Sequence, residues 1–574
     1  MKRRSPRFTR SRLALTAFMA LWLTACGGSG SNEVAYESGG GTTMPPTDAP
    51  ETKSESYRFL KQASFGAKDL EAENLLEDGY LRWIEHQFTR PVTLMRPTFD
   101  LQQRLNPDSR PSADWIYELF WKHAALGDDQ LRQRVTFALS QIFVVSLRDA
   151  NVSKFPRGVS EYYDVLSRNA FESYRNLLHE VTVNPMMGLY LSHLGNENGD
   201  PETGRVPDEN FAREVMQLFS IGLYELNIDG SVKLGSDGKP IETYTTEDVE
   251  GLARVFTGLS WAGPDQERGR FKGWIKTNDR EIYPMQSYPQ YHSVLEKKFL
   301  GTVIPEGSTD ARADVDIAID TLFNHPNVGP FLARQLIQRL VTSNPSPAYI
   351  QRVAEQFNDN GEGMRGDMRA VVRAILFDAE ARDLSAAAQP GAGKIREPIL
   401  RFAEWMRAFR VYSGTGRFRV GNTDDAGNRL GQTILRSPSV FNFYRPGYVP
   451  PNTPIADASM VSPEMQITHE TSVAGWLNMM RTVVQSGYGK NREVKANYQI
   501  ELSLVDDPAE LIERLNVILL NGTMSNGLRS RLSEALLSRS IEHKNPVTAA
   551  RYRNERVYMA VYLTMASPEF AVLK

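Results

Sequence analysis

The chain has 574 residues, of which 41% are apolar and 24% are charged, so it can bury a large core and is neither disordered nor collagen-like in composition. Its 66 basic residues are balanced by 69 acidic ones, so no net positive charge draws the whole protein to nucleic acid, and we expect no nucleic-acid partner. The single cysteine excludes an intrachain disulfide framework, a CxxC redox pair and a multi-cysteine metal site.

The N-terminus predicts export. Residues 1–12 carry six basic side chains and no acidic one, and they precede the apolar run Leu13–Ala25, which is too short for a comfortable permanent membrane span. The only cysteine, Cys26, follows Leu-Thr-Ala, an order that resembles a bacterial lipobox, in which the thiol is acylated after cleavage. We therefore expect residues 1–25 to be a lipoprotein signal peptide and Cys26 to carry palmitate-type acyl chains. An ordinary secretory signal with an incidental cysteine is the alternative.

The next segment, residues 26–56, is predicted to be a flexible tether, because it is rich in Gly, Ser, Thr and Pro and poor in large apolar residues. Such a tether would place the body about 30 Å from the lipid on average. Two or three acyl chains hold a protein on a membrane almost irreversibly, and Gly27 in place of aspartate favours the outer membrane. Loss of residues 1–25 would leave 60 basic against 69 acidic residues, a formal charge of about −9.

Residues 57–574 are predicted to form a mostly α-helical body, because apolar residues recur there at spacings of three and four. The length suggests two packed helical lobes with a small β or irregular insert at about residues 225–310. Two pairs in this insert, Asp229-Gly230 and Asp237-Gly238, predict hairpin turns. The clearest helical periods lie at 161–182, 208–224, 246–259, 312–325, 328–342, 347–358, 367–377, 397–410, 464–486, 508–520, 525–539 and 546–566.

The helix predicted at 208–224 contains the most informative polar residues. At about 100° per residue, Asn210, Arg213 and Glu214 share one stripe, and the opposite side of the helix is apolar. An amide, a guanidinium and a carboxylate on one stripe could orient and protonate a substrate, with Glu214 as the acid or base. The same groups could equally form a structural salt-bridge network between helices, because no obvious nucleophile stands beside them.

Two of the eight histidines, His193 and His292, lie in or near irregular segments close to this helix in the sequence, and either could assist as a general base. The sequence has no HExxH pair, no GxxxxGK[ST] phosphate loop, no GxSxG elbow, no GxGxxG after a strand and no EF-hand loop. We therefore expect neither a metal nor a cofactor.

The aromatic stretch 438–448 is a second candidate site. Its proline-flanked sequence presents Phe443, Tyr444 and Tyr448, whose rings could stack on a sugar or a peptide. A stretch of this kind can instead fasten a long connection to the core. The choice between these two interpretations depends on whether the rings are exposed.

The body also contains a set of long motifs, which lie at Phe59–Gly66, Leu131–Val135, Ala138–Phe143, Pro207–Leu218, His325–Val328, Gln335–Ile337, Lys394–Pro398 and Pro438–Gly447. Together they resemble the bacterial family catalogued as domain of unknown function 1800, over nearly the whole exported body. The resemblance implies a mostly helical exported protein, often encoded beside an exported partner of alkaline-phosphatase-like architecture, domain of unknown function 1501. It implies no reaction and no catalytic residues.

The sequence therefore favours an exported, lipid-anchored accessory or scaffold protein, held on membrane lipid through acylated Cys26, that acts on envelope or surface material with an exported partner. A surface or periplasmic hydrolase or lyase that uses Glu214 is one alternative. A glycan- or peptide-binding module is the other.

Overall fold

A computed structural model describes residues 48–389, 391–541 and 544–574. The predicted signal peptide, Cys26 and most of the predicted tether lie outside the described residues. The first helix begins at Lys53, where the side chain of Thr52 accepts a hydrogen bond from Glu55 N and caps the helix. The last residues of the range expected to be tether are therefore helical.

The first part of the described chain contains nine α-helices, and a 3₁₀ helix (Val152–Lys154) lies in the connection between the sixth and the seventh. The α-helices are α1 (Lys53–Ala63), α2 (Asp69–Asp78), α3 (Tyr80–Thr89), α4 (Arg96–Leu105), α5 (Ala113–Leu126), α6 (Gln130–Ser140), α7 (Pro156–Asn169), α8 (Tyr174–Thr182) and α9 (Pro185–Tyr190).

The central part combines helices with short strands. Its elements are α10 (Asn210–Gln217), α11 (Thr246–Val255), β1 (Leu259–Ser260), α12 (Arg268–Phe271), β2 (Gln286–Ser287), β3 (Lys297–Phe299), β4 (Thr302–Ile304), α13 (Ala311–Asn324), α14 (Val328–Leu340), α15 (Pro347–Asn358), α16 (Met368–Phe377), α17 (Ala379–Arg382) and α18 (Leu384–Ala388).

The last part is again mainly helical. Its elements are β5 (Lys394–Ile395), α19 (Pro398–Ala408), β6 (Tyr412–Ser413), α20 (Pro454–Asp457), α21 (Glu470–Ser486), β7 (Val494–Lys495), α22 (Gln499–Leu504), α23 (Pro508–Leu520), α24 (Asn526–Leu537), α25 (Pro546–Ala566), α26 (Pro568–Ala571) and β8 (Val572–Leu573). The prediction of a mostly α-helical body is confirmed, because the strands of the described chain pair only as two-stranded antiparallel ribbons, β1 with β2, β3 with β4, β5 with β8 and β6 with β7.

The expected insert contains the predicted Asp-Gly turns. Leu226 pairs with Val232 across the first turn, and Leu234 pairs with Pro240 across the second. Gly230 has a φ of 76°, a left-handed conformation that glycine adopts without a steric penalty. The turns therefore form as expected, although the pairs flanking them are single bridges and not longer strands.

One predicted helix is in fact two. The period at 161–182 is divided between α7 and α8, because the chain breaks after Asn169 and restarts at Tyr174. The backbone N–H of Tyr174 donates to Gly366 O over 2.9 Å, so a segment distant in sequence holds the break open.

The two ends of the described body contact each other. The C-terminal strand β8 pairs with β5, α1 packs against α23, and Arg58 Nε donates to Lys574 O over 2.9 Å. The two ends of the described body thus pack together, and its residues belong to one compact unit with a continuous apolar core. Within the described ranges, no helix has the length and apolar character needed to cross a bilayer.

Helix α14 anchors two loops that are distant in the sequence, one near each of its ends. At its start, Asn327 Nδ2 donates to Ile221 O over 2.9 Å and to Tyr224 O over 2.8 Å. Near its end, Gln338 Nε2 donates to Pro446 O over 3.3 Å. Helix α14 itself packs against α6, α15 and α16 in the core. Both loops are therefore fixed to one rigid helix.

Candidate functional site

The polar stripe of α10 is only partly buried. Arg213 is exposed and forms an ion pair with Glu209 over 3.1 Å on the same helix surface. Asn210 is exposed as well, and its Nδ2 lies 3.4 Å from Ser192 Oγ. Glu214 is 8% exposed. Of the three predicted residues, only Glu214 is therefore in an environment that perturbs its chemistry.

The carboxyl group of Glu214 is poorly solvated. Burial raises its pKa above the ordinary value, and the nearby Arg213 only partly opposes this effect. Its Oε2 atom has no hydrogen-bond partner among the described residues. A carboxyl with a raised pKa can serve as a general acid, but no hydrogen bond or ion pair in the described chain joins Glu214 to either candidate histidine.

His193 is a core residue in this structure. Its ring is 0% exposed and stacks on Phe211 with 3.9 Å between the ring centroids. Its Nε2 lies 2.8 Å from Thr182 O, which assigns the ring proton to that nitrogen. Burial lowers the pKa of His193 to about 4, so the ring is neutral at neutral pH. His193 lines neither of the two cavities described below.

His292 belongs to a buried charged cluster that joins the insert to α13. Its Nε2 lies 2.9 Å from Asp314 Oδ2, and Lys297 Nζ lies 2.9 Å from the same oxygen. Ser308 Oγ donates to the other carboxylate oxygen over 2.7 Å. Burial alone would raise the pKa of Asp314, but the hydrogen bonds from His292, Ser308 and Lys297 outweigh it and hold that pKa at about 2. These contacts give His292 a structural role.

The aromatic stretch does not form one stacking platform. Tyr444 is only 4% exposed, and its hydroxyl oxygen lies 3.4 Å from Gln141 Nε2. Burial raises the pKa of the Tyr444 hydroxyl well above its usual range. Asn442 has a φ of 62°, and this left-handed residue turns the chain between the neighbouring rings. Tyr444 therefore fastens the loop to the core, as the second interpretation of this stretch expects.

The other rings of the stretch are half-buried, and two of them line separate cavities. Phe443 lines a small cavity of about 10 Å³ that also contacts Gln432, and Tyr448 is half-buried without lining either cavity. Phe441 lines a cleft of about 570 Å³. The residue of the stretch best placed to contact a large ligand is therefore Phe441, which the sequence did not single out.

This cleft is bounded by segments that are far apart in the sequence. One wall is formed by the end of α10 and the loop that follows it, with Leu218, Ile221, Leu223, Tyr224 and Val232, and Phe331 of α14 lies beside them. The opposite wall is formed by Val440, Phe441 and Pro446. A mainly apolar cleft of this size is typical of sites that bind small molecules or short chain segments.

The floor of the cleft is polar. Helix α14 contributes Gln335, Gln338 and Arg339, of which Arg339 is 4% exposed, and α14 also places Arg334 at the rim. Arg334 Nη2 donates to Gly230 O over 3.1 Å. Beneath the floor, Lys394 Nζ lies 2.9 Å from Glu464 Oε1, and Glu397 Oε2 accepts a hydrogen bond from Gln141 Nε2 over 2.6 Å. The cleft therefore rests on a buried network of charged and amide groups.

Sequence reasoning missed Arg334, Gln335, Gln338, Arg339 and Phe441. A signal was present, because residues 335, 338 and 339 are polar and share one face of a helix that is otherwise apolar. Their value as a site becomes apparent only when the loop at 440–447 is placed opposite them. The candidate catalytic side chains Asn210, Arg213, Glu214, His193 and His292 are not among the described residues that line the cleft.

Fold and site together define a predominantly helical protein with a cleft of mixed polarity. Within the described residues, no group of three or more His, Cys, Asp or Glu side chains is arranged to hold a metal ion. Residues 58–572 match the family model described as "Protein of unknown function (DUF1800)". The chain belongs to this family. Comparison with curated proteins and with solved structures found no match.

Proposed function

We propose that this chain is an exported, lipid-anchored accessory protein of the cell envelope whose helical body binds a ligand in the cleft between Leu218 and Phe441. The observation that carries the proposal is the cleft itself, with about 570 Å³ of space, apolar walls and a polar floor. Segments of several family motifs meet around it, including the end of α10, the middle of α14 and the aromatic stretch. This proposal joins the accessory and ligand-binding interpretations of the sequence.

The proposed location rests on the N-terminal sequence. The basic stretch, the apolar run and Cys26 support export and acylation, and Gly27 supports the outer membrane. Intact mass of the mature protein, together with membrane fractionation of the parent and of Cys26→Ala, tests this part. A mature protein that begins elsewhere than at Cys26, or an unacylated parent, would contradict it.

The proposed partner is an exported protein of alkaline-phosphatase-like architecture, and it rests on the family resemblance alone. Co-purification of the full chain with that neighbour from membranes, compared with an unrelated outer-membrane lipoprotein as bait, tests the association. Equal recovery on both baits would remove the partner from the proposal without affecting the cleft.

The ligand-binding part is tested by screening envelope glycans and peptides against the full chain in detergent, followed by calorimetric titration of the best binder. We expect Phe441→Ala to weaken binding about tenfold or more, because truncation of an aromatic anchor that packs on a ligand costs about 2 kcal/mol or more. Phe443→Ala is the matched control, since this ring belongs to the same loop but lines the small cavity. Equal affinities of the two variants would place the ligand elsewhere.

An enzyme that uses Glu214 is the second candidate, because its carboxyl group is buried, has a raised pKa and has an oxygen without a hydrogen-bond partner in the described chain. If the chain hydrolyses an envelope ester, glycoside or peptide through this group, Glu214→Gln should lower the rate about 10² to 10⁴-fold. The urea midpoint of the variant serves as the folding control. A rate loss no larger than the loss of folded protein would eliminate this candidate.

A further inference from the structure

The charges that line the cleft have one sign. Arg334 and Arg339 line it, and no Asp or Glu is found among its described lining residues. This contrasts with the mature chain as a whole, whose formal charge is expected to be about −9. A positive cleft in an acidic protein indicates selection for a negatively charged ligand group at this place.

The buried network beneath the floor adds to the positive charge. It contains three cations, Arg134, Arg339 and Lys394, and two carboxylates, Glu397 and Glu464, all of them buried. Lys394 is paired with Glu464, as described above. Neither arginine forms an ion pair with a carboxylate in the described chain. The network is therefore one negative charge short of neutrality, and a buried unpaired charge is costly.

The two arginines are held by backbone oxygens. Arg339 Nη1 donates to Gln335 O over 2.9 Å, and its Nη2 donates to Gln141 O over 3.3 Å. Arg134 Nη2 donates to Arg339 O. These bonds fix the orientation of the guanidinium groups without neutralising them. Arg339 Nε, together with Ser343 Oγ and Gln338 Oε1, is buried and has no hydrogen-bond partner in the described chain.

We propose that the floor of the cleft binds a carboxylate through Arg339 and Ser343, with Arg334 at the rim, and that the carboxylate is the C-terminal group of a peptide. This inference rests on the proposed function, because it names the ligand of the same cleft. A carboxylate supplies the missing negative charge and accepts hydrogen bonds from the guanidinium and hydroxyl groups. Arginine is the side chain best suited to this recognition, since its planar donors match the two carboxylate oxygens.

The remaining lining favours a peptide over an acidic glycan. Five amide side chains line the cleft; they are Gln141, Gln217, Gln335, Gln338 and Asn344. The amides of Gln141, Gln338 and Asn344 already donate within the chain. Gln217 and Gln335 are therefore the amides left to donate to a peptide backbone. The apolar walls suit peptide side chains. A sugar presents many hydroxyl donors, which are bound most strongly by ionised carboxylates, and the described lining contains none.

The experiment uses the full chain in detergent and a pool of N-acetylated tetrapeptides with apolar C-terminal residues, each as the free acid and as the C-terminal amide. Affinity selection identifies the best acid, which is then titrated beside its own amide. We expect the amide to bind at least tenfold more weakly, and the affinity of the acid to fall with rising salt concentration. A tetrameric oligogalacturonate is titrated as the glycan arm.

Variants locate the carboxylate. Arg334→Gln and Arg339→Lys should each weaken binding of the acid about tenfold and leave binding of the amide nearly unchanged. Arg531→Gln is the matched control, because Arg531 is exposed on α24 and removal of its charge leaves the cleft intact. If Arg339→Lys does not fold, Arg334→Gln alone decides, since that side chain lies at the rim.

Each outcome is decisive. Equal binding of acid and amide, with loss of both in Phe441→Ala, would overturn the carboxylate inference and leave the proposed function in place. Binding of the uronate with no selected peptide would overturn the peptide assignment and retain the anion site. Failure of every peptide and glycan to bind would overturn the inference together with the proposed function, and would assign the unpaired polar atoms to bound water.

Discussion

The cluster around Asp314 offers the sharpest test of whether His292 is structural. Asp314→Asn keeps the size of the side chain but removes the negative charge that faces His292 and Lys297. Lys297 is 0% exposed, so the variant leaves a buried ammonium group without an anion. Removal of one partner of a buried ion pair costs about 3–5 kcal/mol. We expect Asp314→Asn to lower the free energy of unfolding by an amount in this range at pH 7.

The pH dependence of unfolding gives a second value for the free energy that ionised Asp314 contributes to the fold. The pKa of Asp314 is about 2 in the folded chain and about 3.9 in an unfolded one. A lowered pKa of an acid stabilises the fold above the unfolded value, so this contribution is complete above about pH 5 and is lost as the pH falls towards 2. The difference corresponds to roughly 2–3 kcal/mol.

The assay is urea unfolding followed by tryptophan fluorescence, at pH values from 7 down to 3. The double variant Lys297→Met/Asp314→Asn removes both charges, and we expect it to recover part of the lost stability. A loss below about 1 kcal/mol for Asp314→Asn, or a double variant no more stable than the single one, would refute the reasoning. A large loss of enzymatic turnover with unchanged stability would instead return His292 to a catalytic role.

Three further perturbations follow from buried titratable groups. Glu214→Gln should be neutral or stabilising in urea unfolding at pH 8, because the folded chain pays for ionising a buried carboxyl whose pKa is raised. Any gain in stability should disappear below the pKa of the unfolded chain, near pH 4. A destabilised variant at pH 8 would contradict this prediction. Between about pH 6.5 and 4, the unfolded parent binds a proton at His193 and the folded parent does not, so the parent loses stability as the pH falls. His193→Phe should lose less stability over this range, and an unchanged pH profile would argue against this prediction. Lys394→Met should cost about 3–5 kcal/mol by leaving Glu464 buried without its cation, and Lys394→Met/Glu464→Gln should be more stable than the single variant.

Local features of the fold could be predicted because their causes lie within a few residues. The Asp229-Gly230 turn depends on a glycine that adopts positive φ. The start of α11 depends on a reciprocal capping box between Thr245 and Asp248. Most of the helices predicted in the second half of the chain coincide with observed helices. Apolar residues spaced by three and four can be recognised from the sequence without any tertiary information.

The candidate site could not be predicted because its causes are distant in the sequence. The partner of His292 is Asp314, 22 residues away, and it turns a candidate base into a structural group. The sequence leaves open whether Tyr444 stacks on a ligand or anchors its loop, and only its burial and its contact with Gln141 decide for the anchor. The cleft appears only when the end of α10, the middle of α14 and the loop containing Phe441 meet. Burial, which decides between binding and anchoring, is a property of the assembled core.

The central claim is that the ligand of this protein occupies the cleft between α10, α14 and the aromatic stretch. Hydrogen–deuterium exchange on the full chain, with and without the best binder from the screen, tests it most directly. We expect slowed exchange on binding in residues 218–226, 335–345 and 440–447. Protection confined to residues 190–214 and 244, with the cleft segments unchanged, would contradict the account and direct attention to Glu214.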